Sequence, residues 1–364
     1  PLSMGAVAEN EAIVKCLFAA LRASPSPPTE FFGCGGLEAL ELPASRERES
    51  SAPLPLARLS FSSSSSPSPS STRTLAARLV VGADGARSAV RALSGIRQSP
   101  WGRDYPAAAV VATVRLEEGD GGRGEEGEAF GGGGSVESKS KSKSESKTKK
   151  ENVAWQRFLS TGPLALLPLR DNYWSVVWST TPEHARELCE AGEKAPEEFA
   201  AAVDSALRRK GKEKSTSSHS LRLPPRVLAA PGAPAPRSFP LRRSSAGTFV
   251  LPRLALVGDA AHSVHPLGGQ GVNLGFGDAS CLAAFLAERA GAGADVGSDP
   301  EALESKYGRP RRAATEAMGS ALDALQRAFG PQEGFLAEAR AAALRGIDGS
   351  GPLRSAIVRY AMGL

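Results

Sequence analysis

The run Leu254-Ala-Leu-Val-Gly-Asp-Ala-Ala-His-Ser-Val-His-Pro-Leu-Gly-Gly-Gln-Gly-Val-Asn-Leu-Gly-Phe-Gly-Asp278 passes from an apolar segment to a carboxylate, then to a glycine-rich loop and a helical pattern. Residues 254–257 read as a short buried strand. Such a strand delivers Asp259 at its C-terminal edge, where α/β sheets bind ligands. Gly268, Gly269 and Gly271 lack a Cβ, so the loop backbone can come close to a flat ligand. The helix predicted from about Val272 to Glu288 then aims its N-terminal dipole and free N–H groups into the same space. That combination suits a polyol hydroxyl at Asp259 and an electron-rich ring at the helix start.

Outward from this core the pattern is α/β. Residues 75–81 read as a buried strand running into the turn Gly82-Ala83-Asp84-Gly85, and 107–116 as a second strand. Beyond residue 153 the alternation becomes that of an antiparallel sheet, with strands at 155–159, 164–169 and 173–179. Gly162-Pro163 and Asp171-Asn172 mark the turns between them. Helices are predicted at 13–21, 183–188, 197–207, 300–307, 311–329 and 334–344, with a short strand at 37–42. Three stretches, 45–74, 117–150 and 208–220, are too polar and repetitive to bury a core and read as disordered insertions.

Composition excludes several function classes. The net charge of +5 comes largely from a serine-lysine run at 139–150. Its lysines have no aromatic neighbours and no folded face, so no nucleic-acid partner is expected. Cys16, Cys34, Cys189 and Cys281 form no CxxC pair and fit a reducing compartment. Cys16 and Cys281 sit in apolar helical patterns, where cysteine is expected in the core. His262 and His265 lack a third ligand nearby, so no metal is expected, and packing beneath the loop is the role read for them. No apolar run approaches the roughly 18 residues of a membrane span. Pro1-Leu2-Ser3 is not a start, and the chain is read as N-terminally truncated, its targeting signal lying outside it.

The 254–278 segment closely resembles the second FAD motif of the flavoprotein aromatic hydroxylases. The resemblance implies that Asp259, following Gly258, binds the ribityl chain. It also implies that Pro266, Gly268, Gly269, Gln270, Gly271 and Asn273 contact the flavin ring. Leu79-Val-Val-Gly-Ala-Asp-Gly-Ala-Arg-Ser-Ala-Val-Arg91 resembles the family's middle motif, with Asp84, Gly85, Ser88 and Arg91 in place. That motif lies near the FAD pyrophosphate and bears on nicotinamide-cofactor binding. Residues 4–10, 152–159 with 162–168, 177–179 and Phe239-Pro240-Leu241 resemble the ring monooxygenases of ubiquinone biosynthesis, the last stretch in the sheet segment expected to face the flavin.

The fold class implied is the FAD-binding aromatic-hydroxylase type, α/β. Residues 1–24, 75–104 and 250–300 form the remnant of an incomplete Rossmann-like FAD domain. An antiparallel-sheet substrate domain occupies 105–249, and C-terminal helices fill 301–364. The family's N-terminal GxGxxG turn is not matched, since Glu38 falls where Gly33-Cys34-Gly35-Gly36 would need its last glycine.

The expected activity is FAD-dependent hydroxylation of a polyprenylated phenol in ubiquinone biosynthesis. The electron donor would be NADPH or a ferredoxin-type protein, and a ubiquinone-biosynthesis complex is a further expected partner. The resemblance places the enzyme peripherally on the matrix side of the mitochondrial inner membrane, with the helices beyond Pro300 as one possible contact. Trp155, Trp174 and Trp178 fall on sheet strands, either as core residues or as lining for a ring-shaped substrate. Two other readings stand beside this one: a flavin hydroxylase of another aromatic substrate, and a non-catalytic truncated flavoprotein-like fragment.

Overall fold

The computed structural model describes residues 7–30, 36–44, 55–62, 72–100, 102–117, 153–208, 223–265 and 269–329, with isolated positions beyond 341. Its contacts divide the chain into two compact units, Pro1–Ala108 with Pro240–Leu364, and Ala109–Phe239. The first unit thus takes in residues 301–364, read above as a separate region. The second lies within the expected 105–249.

The first unit begins with helix α1 (Asn10–Arg22), none of whose residues is buried. Cys16 is therefore exposed, not a core residue. Strands β1 (Leu37–Glu41), β2 (Ala57–Ser62) and β3 (Thr72–Ala77) follow as an antiparallel meander, with Leu40 opposite Leu59 and Leu59 opposite Leu75. Residues 57–62 and 72–74 fall inside the stretch 45–74 read as an insertion, and that reading is corrected for them. Ala57, Leu59 and Phe61 alternate with Arg58, Ser60 and Ser62, the period of a half-buried strand, and Ala57 is fully buried. Residues 45–54 and 63–71 lie outside the described residues. So do 118–150 and 209–220, which hold nearly all of the other two proposed insertions.

The strand expected at 75–81 is two strands, β3 and β4 (Val80–Gly82), separated by a bend at Arg78. There the chain passes from one sheet to another. Helix α2 (Ala89–Leu93) follows, and β5 (Arg103–Leu116) is longer at its start than the sequence pattern indicates.

The second unit holds the later half of β5, then β6 (Trp155–Leu159), β7 (Gly162–Pro168), β8 (Tyr173–Thr180), helices α3 (Pro182–Lys194) and α4 (Pro196–Arg208), and β9 (Val227–Ala229). Its strands run in the order β5-β8-β7-β6, and β9 also pairs with β5. Asp171 and Asn172 both adopt positive φ, 55° and 61°, the mirror-image turn that matches strand twist. The β6–β7 turn lies at Ser160-Thr161 instead of Gly162-Pro163. Gly162 already pairs with Leu159, and its φ of 143° places it beside Ser179, where no side chain fits.

Register assigns the faces of this sheet. Trp155 lies opposite Leu166, Leu164 opposite Trp178 and Pro168 opposite Trp174, so the three tryptophans share one face. Arg157 and Thr180 occupy that face too. The Arg157 guanidinium donates to the Leu207 carbonyl on α4, and the Thr180 hydroxyl meets His184 Nδ1 on α3 at 2.8 Å. It is therefore the helix-covered face, with Trp178 buried in it and Trp155 and Trp174 half-buried. The opposite face, carrying Ala165, Leu167 and Val177, is only half-buried.

Returning to the first unit, β10 (Arg237–Ser245) leads to β11 (Val250–Leu251), β12 (Leu254–Leu256), a 3-10 turn (Gly258–Ala260), β13 (His262–Ser263) and α5 (Gln270–Gly291). Helix α6 (Pro300–Leu303), a π-helical turn (Glu304–Gly308) and α7 (Arg309–Phe329) complete it. The helix expected at 334–344 lies almost entirely outside the described residues. Strand β12 pairs in parallel with β4, Leu254 opposite Val80 and Leu256 opposite Gly82. Val80, Val90, Phe249, Leu254, Leu256 and Leu282 form the core under this pair. Arg253, at φ 64° and 1% exposed, pins the β11–β12 turn by donating to the carbonyls of Pro55 and Arg78 and to Asp295.

Candidate cofactor site

The two quoted motifs meet through backbone pairing. Because β4 and β12 run side by side, the turns that follow them, 83–88 and 258–260, emerge at the same sheet edge. The Val257 N–H donates to the Gly82 carbonyl at 2.9 Å, carrying the pairing one residue further. Gly82 must lack a side chain, since a Cβ there would sit 2.7 Å from Leu256 Cδ2. Arg91 then links the turns. Its Nη1 donates to the Ala260 carbonyl at 2.6 Å and its Nη2 to that of Ala86 at 2.7 Å.

Within the first motif, Asp84 serves the backbone. Its Oδ2 accepts the Val90 N–H at 3.1 Å, while Ser88 caps α2 by accepting the Arg91 N–H at 2.9 Å. Burial pushes the Asp84 carboxyl up, but hydrogen bonds from Ser88 and Val90 prevail and hold it below the usual carboxylate range. Gly85, at φ 82°, makes the turn between them, with open space where a Cβ would be.

Gly258, at φ 57°, turns the chain so that Asp259 leaves the strand exposed, without a hydrogen-bond partner among the described residues. The turn lies against α5, where a Cβ on Gly275 would be 3.5 Å from Gly258 Cα. Gly269, at φ 63°, is the N-cap of α5 and supplies no capping side chain. Gln270, Gly271 and Asn273 form the first turn of this helix, and Asn273 Nδ2 donates to Gln270 Oε1 at 3.3 Å. Pro266 and Gly268 lie outside the described residues. The structure thus brings Asp84, Gly85, Arg91, Gly258 and Asp259 to one sheet edge, with Gly269 to Asn273 on the adjoining helix.

Residues that the sequence reading gave no role hold this arrangement. Asp278 is fully buried on α5 and accepts from Gly258 N–H (3.0 Å), His262 Nε2 (2.6 Å) and Arg311 Nε (2.7 Å). Burial pushes its carboxyl up, but the donors from His262, Arg311 and Gly258 outweigh this and keep it below the ordinary range. Tyr307, also fully buried, donates its hydroxyl to the Leu256 carbonyl at 2.5 Å. The available signal for Asp278 was its place in the stripe Leu274, Asp278, Leu282, Phe285. A carboxylate in the buried stripe of a helix needs partners.

His265, beside the glycine loop, is buried and packs edge-on against Tyr105, ring centroids 5.0 Å apart. Burial lowers its pKa, partly countered by the charge of Asp323. Asp323 on α7 in turn accepts from the Tyr105 hydroxyl at 2.5 Å and pairs with Arg243 at 2.6 Å. His262 is thus engaged in hydrogen bonding and His265 in ring packing, and among the described residues no group of three or more His, Cys, Asp or Glu side chains is placed to hold a metal.

The exposed Asp259 carboxylate can accept from hydroxyls, and the uncapped start of α5 favours negative charge. The chain is 40% identical over 254 residues to the ubiquinone biosynthesis monooxygenase COQ6, mitochondrial, of Xenopus tropicalis, covering 65% of this chain and 47% of that protein. The Homo sapiens protein of the same name is 40% identical over 243 residues, covering 62% and 44%. The chain thus spans about half the length of the curated relatives it matches. In fold it is similar to p-nitrophenol 4-monooxygenase PnpA of Pseudomonas putida DLL-E4, with a TM-score of 0.57 and 18% identity over 88% of this chain and 64% of that one. Residues 63–319 match the family described as FAD binding domain, a span that contains both motifs, and the chain belongs to that family.

Proposed function

We propose that this chain is the flavin-binding part of an FAD-dependent monooxygenase that hydroxylates the ring of a polyprenylated phenol in ubiquinone biosynthesis. The observation that carries the reading is the exposed Asp259 carboxylate, held at the end of a parallel strand beside the uncapped start of α5. The names of the relatives, ubiquinone biosynthesis monooxygenase, support the pathway and the reaction type.

In this reading Asp259 accepts hydrogen bonds from the ribityl hydroxyls. Gly269, Gln270, Gly271 and Asn273, with Pro266 and Gly268, line the flavin ring. Asp84, Gly85 and Arg91 shape the edge nearest the pyrophosphate. The bound cofactor supplies the oxygen-transfer chemistry. The start of α5 stabilises negative charge at the ring's pyrimidine edge through a preorganised dipole. Reducing equivalents come from NADPH or a ferredoxin-type protein. Among the described residues no helix is long and apolar enough to cross a membrane, and the proposed association with the matrix side of the mitochondrial inner membrane is peripheral. Membership of a ubiquinone-biosynthesis complex belongs to the same reading.

Asp259→Ala tests it. Loss of one charge-assisted hydrogen bond is worth roughly 1.5–3 kcal/mol, or about 10- to 150-fold weaker FAD retention. Bound FAD is read by absorbance after gel filtration. An Asp259→Ala protein that keeps wild-type FAD content assigns the turn to another ligand.

A further inference from the structure

We propose that Asp278 is the positioning residue of the cofactor site: it fixes the turn carrying Asp259 against the start of α5, so that one FAD molecule can reach both. The proposal rests on the FAD reading above. Its observations are independent of that reading.

Gly258 immediately precedes Asp259, and His262 follows it by three residues. Both donate to the same oxygen, Asp278 Oδ2, at 3.0 and 2.6 Å. The two ends of the turn therefore hang on one atom of α5, two helical turns beyond its start. The other oxygen, Oδ1, accepts from Arg311 Nε at 2.7 Å. Arg311 Nη2 also donates to the Leu274 carbonyl at 3.0 Å, which ties α7 to the opening turns of α5. Asp278 thus joins the turn, α5 and α7.

A carboxylate is a costly choice here. It occupies a stripe shared with Leu274, Leu282 and Phe285, where an apolar side chain would pack without losing hydration. Buried charge clusters are often matched or exceeded in stability by apolar replacements. What an apolar residue cannot do is orient the Gly258 N–H and the His262 ring. His262 supports this. It is buried, its Nε2 must donate because its partner is a carboxylate, and its buried Nδ1 has no hydrogen-bond partner among the described residues. Among the described residues, Asp278 is the one hydrogen-bond partner of the ring.

The test uses the 364-residue chain. FAD is titrated into the wild type, Asp259→Ala, Asp278→Asn and the double variant, and flavin fluorescence is followed. Asp278→Asn keeps the volume but turns one acceptor into a donor. We expect it to weaken FAD binding about 10-fold or more, and the double variant to bind within about twofold of Asp259→Ala, because two residues acting through one interaction are not additive. His262→Leu should weaken FAD as Asp278→Asn does, whereas His262→Gln, which retains a donor, should recover much of the affinity. In the FAD-free proteins, amide hydrogen exchange across residues 258–263 should speed up about 10-fold or more in Asp278→Asn and His262→Leu. Additive losses in the double variant, or unchanged exchange at 258–263, overturn the proposal. Unchanged FAD affinity in Asp259→Ala overturns the FAD reading instead, and the exchange measurement still decides whether Asp278 grips the turn.

Discussion

Arg91 Nη1 lies 2.6 Å from the carbonyl oxygen of Ala260, a residue 169 positions away in sequence, while its Nη2 holds Ala86 in its own motif. One guanidinium thus spans both turns of the candidate site. Its planar fork suits this, since its donors are fixed relative to one another. Arg91→Ala should cost about 1–3 kcal/mol in urea unfolding. Arg91→Lys, a single ammonium on a flexible stem, should recover less than half of that. Equal stability of all three proteins would show that the link carries no load.

Gly162 and Gly232 form a controlled pair. Both have positive φ, 143° and 73°, but a Cβ on Gly162 would sit 2.5 Å from the Ser179 carbonyl, whereas one on Gly232 meets nothing within 4 Å. Gly232→Ala should pay backbone strain alone, about 1 kcal/mol. Gly162→Ala adds a backbone clash across the β7–β8 pair and should cost about 2 kcal/mol or more. Thermal melts of the two variants compare them directly, and an equal loss would disprove the tight packing of β7 on β8.

Acid should destabilise the first unit through specific carboxylates. Burial raises Asp278 and Asp323, but Asp278's donors from His262 and Arg311, and Asp323's from Tyr105 and Arg243, outweigh it, so both titrate below the ordinary range. Below the unfolded value of about 3.9, the unfolded chain binds protons that the folded chain still excludes. Their stabilisation is therefore complete above that pH and is lost as pH falls through the lowered folded values. Melting temperature should hold between about pH 7 and 5 and drop below about pH 4. Asp278→Asn should show a shallower drop, and parallel profiles for the two proteins would remove Asp278 from the account.

At the alkaline end the sign reverses. Burial and the hydrogen bond to Asp323 push the Tyr105 hydroxyl up to about 12. The folded protein keeps a proton that the unfolded chain releases near pH 10. Stability from this group is present below about pH 10 and lost as pH rises through the folded value. Tyr307 is also raised by its burial, so tyrosinate difference absorbance should show more than one late-titrating tyrosine, of which the component near pH 12 disappears in Tyr105→Phe. If the wild type and Tyr105→Phe titrate identically over this range, the hydroxyl is not held as described.

Much of this architecture is legible in the sequence because local chemistry and tertiary role coincide. The strand at 254–256, the helix after Gly269 and the Asp171-Asn172 turn each follow from residues whose conformational preferences the fold uses unchanged. The failures are also physical. Strand β2 is hard to read because two of its three polar positions are serines continuous with the serine run that follows, which masks the alternation of Ala57, Leu59 and Phe61. Nothing local marks Arg253, because its left-handed backbone and buried guanidinium depend on Pro55, Arg78 and Asp295, partners distant in sequence. Asp278 was visible as a letter in the motif but not as a hub. Its three partners come from separate elements, and only the folded chain brings them together.

The parallel pairing of β4 with β12 has a kinetic corollary. The two halves of the candidate site are separated by the whole contiguous unit Ala109–Phe239, so their meeting closes a loop on the scale of the 169 residues between Arg91 and Ala260. Closing so long a coil costs on the order of 5 kcal/mol in chain entropy. The contiguous unit completes its contacts within residues 109–239 once β8 and β9 have paired with β5, whereas the cofactor edge needs both ends of that longer loop. Nascent chain emerging from a ribosome can therefore assemble the hairpin sheet as soon as it is synthesised, but the edge bearing Asp259 has no partner strand fixed beside it until β12 returns to β4.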